Sequence, residues 1–215
     1  MAAPPRARQG ELFGAAVCGA VAAASPPPLL REQLIDWQQR LLGHQSPLFR
    51  REGPAAGQGD LFATPPAADG RATSPGLLSA PAVAAARALD PLCLEAQSLA
   101  FWRWPAAPHQ GAAIYLVLDR PPEASTPLLL YVGETARADR RWKGDHDCKA
   151  YLAAYSEALR RVGLEPRLSI RFWCDVPALT AHRRAQEQAL IRQWLPPFNK
   201  ETRERWATPF MADPH

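Results

Sequence analysis

The pattern of hydrophobic and polar residues predicts helices in four stretches of the chain and strands in three others. Over residues 29–43 (LLREQLIDWQQRLLG), Leu30, Leu34, Trp37 and Leu41 fall on one stripe, which predicts a helix that Gly43 stops. Residues 83–100 predict a further helix interrupted by Pro91, followed by the aromatic run Phe101–Trp104. From residue 111 the texture changes. AAIYLVLD (112–119) and LLLYVG (128–133) are strand-like and separated by the turn-forming PPEASTP, which predicts an antiparallel hairpin. Residues 150–162 predict a helix with Tyr151, Tyr155, Leu159 and Val162 on one side, and RLSIRFWCDV (167–176) a third strand. Residues 178–195 predict a last helix that Pro196-Pro197 terminates. The order β-β-α-β-α points to an α/β (α+β) domain, a small three-stranded antiparallel sheet flanked by helices.

Composition separates the two halves. Of 23 prolines and 13 glycines, 14 and 9 fall in residues 1–108, so a largely flexible Pro/Ala-rich N-terminal region is expected ahead of the compact domain. The expected divisions are 1–85 (flexible, with the helix at 29–43), 86–108 (a helical and aromatic connector), 109–206 (the compact domain) and 207–215 (a tail). No apolar run approaches the roughly 20 residues of a membrane helix, so no membrane partner is expected. The apolar stretch Leu12–Ala24 runs into three prolines and lacks a clean cleavage site, which argues against a secretory signal. The four cysteines (Cys18, Cys93, Cys148, Cys174) are widely spaced and form no CxxC pair; neither a zinc ribbon nor a disulfide framework is suggested. A reducing, cytoplasmic and nucleoid-associated setting is the default expectation. The net charge of +4 is mildly basic and carried mostly by arginine, which suits bidentate phosphate contacts.

The chemistry-bearing residues cluster in the second half. Ala113-Ile114-Tyr115 lies in the first strand, and Tyr131-Val132-Gly133 ends the second. Arg141 follows Gly133 by eight residues, Glu187 lies on the last helix, and Asn199 follows Glu187 by twelve. This ordered set resembles the GIY-YIG nuclease superfamily, and residues 111–200 are similar to the nuclease domain of the bacterial excision-repair endonuclease. The string RWKGDH (141–146) is similar to the arginine segment of phage homing endonucleases of the same superfamily. The resemblance implies DNA cleavage by phosphodiester hydrolysis, in repair or recombination and selected by DNA shape. It implies Tyr115, Tyr131, Arg141, Glu187 and Asn199 as catalytic residues, with Tyr115 as general base. Two positions depart from the family pattern. Ala113 replaces a glycine, and Glu134 stands where the repair enzyme carries a lysine.

The residue types fit that chemistry. Phosphodiester hydrolysis needs a water nucleophile and charge stabilisation on the phosphoryl oxygens. Glu187 is a hard carboxylate suited to Mg²⁺ or Mn²⁺, ions that keep most of their water. Arg141 offers a planar fork to phosphate. Arg137, Arg140, Lys143 and His146 are expected to bind the DNA substrate beside it. A non-catalytic nucleic-acid-binding module, or an adaptor, is the alternative.

A second pattern lies largely in the N-terminal half. Three pentapeptides, QGELF (Gln9, Leu12, Phe13), QSPLF (Gln45, Leu48, Phe49) and QGDLF (Gln58, Leu61, Phe62), match QxxLF, where random placement gives roughly 0.04 matches. They resemble bacterial sliding-clamp-binding motifs, in which Leu and Phe enter an apolar cleft while glutamine bonds at its edge. The expected partners are therefore DNA and the polymerase sliding clamp.

Overall fold

The computed structural model describes residues 30–50, 80–100, 109–141 and 147–210, with side-chain surroundings described for all of these except 80–83, 141 and 147. The expected α+β architecture is present. Strands β1 (Ala113–Asp119), β2 (Leu128–Thr135) and β3 (Leu168–Trp173) form one antiparallel sheet in the order β2-β1-β3. The helices are α1 (Arg31–Phe49), α2 (Ala80–Ala88), the short α3 (Ala138–Arg141), α4 (Asp147–Arg161) and α5 (Thr180–Trp194). β1 is central and buried along its whole length, which is why it reads as an almost uninterrupted apolar run.

Each face of the sheet has its own core. On one, Tyr115, Val117, Leu128, Leu130, Ile170 and Phe172 pack with Leu34, Trp37 and Leu41 of α1 and with Tyr151, Leu152 and Tyr155 of α4. On the other, Ile114, Leu116, Leu118, Leu129 and Val132 pack with Ala86 of α2 and Ala189, Leu190, Ile191 and Trp194 of α5. A bulge adjusts β2 between these faces. Val117 pairs with Tyr131 and Leu118 with Leu129, so Leu130 has no partner on β1. The extra residue reverses the alternation. Leu130 and Tyr131 then both join the α1/α4 side, and Tyr131 lands on the face that carries Tyr115.

α1 departs from its sequence expectation. It runs on through Gly43 and Pro47 to Phe49, past the predicted stop at Gly43, and belongs to the compact domain rather than to an N-terminal appendage. The reason is long-range. β2 is an edge strand, and an edge strand presents unpaired backbone groups. Gln45 answers them: its Nε2 donates to the Leu129 carbonyl (3.0 Å) and the Trp194 carbonyl (3.0 Å), and its Oε1 accepts from Leu129 N–H (2.8 Å). Phe49 packs on Trp194 with ring centroids 4.6 Å apart. These anchors outweigh the helix-weakening glycine and proline.

The QxxLF copy at 45–49 is thereby corrected: Gln45 and Phe49 are buried and Leu48 is partly buried in the fold, so they are not offered to a partner. The copies at Gln9–Phe13 and Gln58–Phe62 lie outside the described residues, as do the rest of 1–29 and 51–79, the aromatic run Phe101–Trp104, and the tail after 210. Gln45→Ala is expected to lower stability by about 3 kcal/mol in urea titrations, since it strands a buried N–H and carbonyl of Leu129. An unchanged midpoint would remove Gln45 from this structural role.

The predicted helix at 83–100 is also revised. α2 ends at Ala88, a 3-10 turn occupies Pro91–Cys93 with Leu92 N–H capped by Asp90, and Gln97 then pairs with Ile170 through two backbone hydrogen bonds. Pro91 starts the new turn, where it lacks only a donor that no helical partner needs. α4 shows the predicted stripe. α5 ends in left-handed Leu195 directly before Pro196-Pro197.

Candidate active site at the edge of β2

The outer edge of β2 is closed residue by residue. Beyond Gln45 on Leu129, Phe198 N–H donates to the Leu130 carbonyl (3.1 Å). Asn199 takes both backbone groups of Val132: its Oδ1 accepts from Val132 N–H (3.0 Å) and its Nδ2 donates to the Val132 carbonyl (2.8 Å). Glu187 Oε1 accepts from Glu134 N–H (2.9 Å). Asn199 and Glu187 therefore bind the residues on either side of Gly133. The turn that carries Asn199 is set by left-handed Leu195 and the two prolines after it, which place residues 198–199 alongside the strand. Both ends of the buried Asn199 amide are engaged by backbone, so it positions β2.

The two tyrosines meet over the same glycine. Tyr115 is paired across the strands with Gly133, and its ring lies 5.8 Å from that of Tyr131 at an interplanar angle of 28°. A Cβ at position 133 would run into Cζ and Oη of Tyr115 and come within 2.8 Å of Tyr131 Cε1, so only glycine admits both rings. Tyr115 is fully buried, with Phe172 on its other side at 6.3 Å, whereas Tyr131 is only half-buried. Tyr115, the tyrosine expected as general base, is the buried one of the pair. Tyr131 is the more exposed of the two, and the Tyr115 ring packs against it.

Glu187 has an unusual acidity. Burial pushes its carboxyl up from the usual 4.5 to about 7; the neighbouring carboxylates of Glu134 and Glu201 push the same way, against the Glu134 N–H and Arg184. Glu134, the residue that replaces the family's lysine, is neutralised in place. Its Oε2 accepts from Arg183 Nε (2.8 Å) and its Oε1 faces Arg184 Nε (3.4 Å). Arg183 is itself buried and donates onward to the carbonyls of Pro177 and Ala178 and to Thr180 Oγ1. Glu134 thus serves as the counter-ion of a buried arginine.

Glu187 fits a hard divalent cation. It is an oxygen ligand facing two further carboxylates, Glu134 and Glu201, and its reluctance to ionise marks a place where positive charge would be relieving. Among the described residues no group of three His, Cys, Asp or Glu side chains is arranged to hold a metal, so Mg²⁺ or Mn²⁺ on Glu187 would take its remaining ligands from water and phosphate.

The basic residues follow Gly133 directly. α3 is tied down by Ala138 N–H to the Gly111 carbonyl (2.8 Å), where Gly111 has φ of +83°, and the backbone of Arg141 ends the helix. Arg137 and Arg140 are exposed and lie 4.0 and 3.8 Å from the Asp139 carboxylate, contacts weak enough to exchange for phosphate. The Arg141 side chain, Lys143 and His146 lie outside the description. Sequence reasoning missed Arg183 and Arg184, and it assigned Gln45 to a partner rather than to the edge of β2. The available signal was Glu134 itself, a carboxylate on a buried strand that calls for a cation, with two arginines three and four residues before Glu187 on one helix.

Comparison with protein-family models, with curated proteins and with solved structures finds no match to this chain.

Proposed function

We propose that the chain is a metal-dependent DNA endonuclease that hydrolyses phosphodiester bonds, uses Mg²⁺ or Mn²⁺ held at Glu187, and selects DNA by shape. The observation that carries this reading is the convergence on Gly133: two tyrosine rings packed over it, Asn199 and Glu187 bonded to the residues on either side, and an arginine-rich helix immediately after. Each of these residues has a role in the reaction. Tyr131 is the group placed to orient the attacking water or a phosphate oxygen, and Tyr115 holds its ring in place. Arg137, Arg140 and Arg141 supply positive charge for the phosphodiester. Asn199 fixes the strand. Glu187 holds the cation, which when bound supplies charge stabilisation to the phosphoryl oxygens and a more acidic water. Hydrolysis adds water across the P–O bond and leaves one phosphate monoester and one hydroxyl end.

Recruitment by a sliding clamp rests on the copies at Gln9–Phe13 and Gln58–Phe62 alone, since the copy at Gln45–Phe49 is part of the fold. No helix among the described residues is long and apolar enough to cross a membrane.

The test is cleavage of labelled duplex, flap, fork, four-way junction and single-stranded DNA at pH 8 with Mg²⁺ or Mn²⁺. Divalent-dependent cleavage that Arg141→Ala reduces by at least about a hundredfold is expected, the range seen when one charge-stabilising donor is removed. A folded protein that binds these DNAs and cuts none would overturn the enzymatic reading in favour of a binding module.

A further inference from the structure

Arg184 lies beside the candidate site and belongs to none of the roles above. Its side chain is 67 % exposed, whereas Arg183 next to it is 1 % exposed. Both face Glu134, at unequal distances: 2.8 Å for Arg183 and 3.4 Å for Arg184. Arg183 alone is sufficient to neutralise Glu134, and it is fixed by three further acceptors on the segment leading into α5. Arg184 is the surplus charge. It stands three residues before Glu187 on α5, so the two side chains are neighbours on one helical face. Its positive charge works against the upward shift of the Glu187 carboxyl, so the guanidinium is within electrostatic reach of that carboxylate.

We infer that Arg184 is a further substrate-binding residue, a phosphate contact that rests on Glu134 and transfers to the DNA backbone when a phosphodiester reaches Glu187. This deepens the endonuclease reading and rests on it. The long contact to Glu134 is a partly exposed ion pair of little net strength, and a phosphate offers the same guanidinium two parallel hydrogen bonds. The exchange also answers the departure at position 134. Positive charge that the strand lacks there is delivered from α5 instead.

The experiment is fluorescence anisotropy of the full chain with a labelled fork DNA in EDTA, over a range of salt, together with cleavage in Mg²⁺. Arg184→Ala is expected to weaken binding about tenfold and to lower the salt slope by about one phosphate contact. Arg184→Lys is expected to keep the slope. Arg161→Ala, which removes an exposed arginine on α4 paired with Glu157, is expected to change binding less than about twofold. Arg184→Ala that binds as wild type with an unchanged slope, in a protein that does bind and cleave, overturns this inference alone. A wild-type protein that neither binds nor cleaves any DNA overturns the endonuclease reading and this inference with it.

Discussion

Glu187→Gln is expected to make the metal-free protein more stable above pH 7 while abolishing cleavage. In the folded chain the Glu187 carboxyl holds its proton to about 7 instead of the usual 4.5. Below pH 4.5 it is protonated in both the folded and unfolded chain and contributes no difference. Between 4.5 and 7 the unfolded chain gives up the proton and the folded chain keeps it, so wild-type stability falls as pH rises. Above 7 the full penalty is in place, roughly 3 kcal/mol from the size of the shift. Glutamine keeps the oxygen that accepts from Glu134 N–H and has no charge to desolvate. The variant should therefore melt with wild type at pH 4 and about 5–10 °C above it at pH 8, measured by circular dichroism in EDTA. Adding Mg²⁺ should raise the wild-type melting temperature and leave the variant unmoved, since a ligand stabilises only the state that binds it. A variant less stable than wild type at pH 8 would show that the carboxylate is supported by its surroundings, and would remove the main argument for a cation there. The trade is the expected signature of a residue retained for chemistry at the expense of the fold.

The same residue shows how far the sequence could be read. Periodicity identifies the strands and the helix that carry the two tyrosines, Gly133 and Glu187; these residues, with Asn199 in the turn after the last helix, were legible as a set only through their ordered resemblance to a known family. The three strands and the three long helices α1, α4 and α5 were legible from periodicity itself. What remained hidden depends on contacts between residues far apart in the chain. Gln45 meets Leu129 across 84 residues, and that contact carries α1 through a glycine and a proline that local rules read as a stop. Gln97 joins Ile170 in the same way. The choice between Tyr115 and Tyr131 turned on exposure, and exposure depends on the bulge at Leu130, which no alternation pattern reveals. Glu134 read as a lost positive charge because its counter-ion, Arg183, approaches from another element.

Among the described glycines, Gly133 is the one at which substitution by alanine is expected to be most damaging. The new Cβ would fall against the Tyr115 ring and hydroxyl and within 2.8 Å of Tyr131. Neither ring can give way cheaply. Tyr115 is fully buried on the central strand, and Tyr131 is held on the same face by the bulge. Relief must come from parting β1 and β2, which pair directly at this point, so a loss of about 3 kcal/mol or more is expected, the upper end for overpacking. Gly43→Ala provides the contrast. Gly43 lies exposed inside α1 with nothing within 4 Å of its added Cβ, and the same substitution there should stabilise by about 1 kcal/mol. Urea titration of the two variants beside wild type reads both signs at once. Near-neutral Gly133→Ala would mean that the tyrosines are not packed over the glycine. If the packing is as described, shortening the opposing side chain should recover part of the loss. Gly133→Ala combined with Tyr115→Leu should then cost less than the sum of the two changes, because they share one collision. Cleavage should not recover in that pair. The glycine makes room for the ring that backs Tyr131, and a fold rescued by removing that ring keeps the strands but loses the support the site depends on.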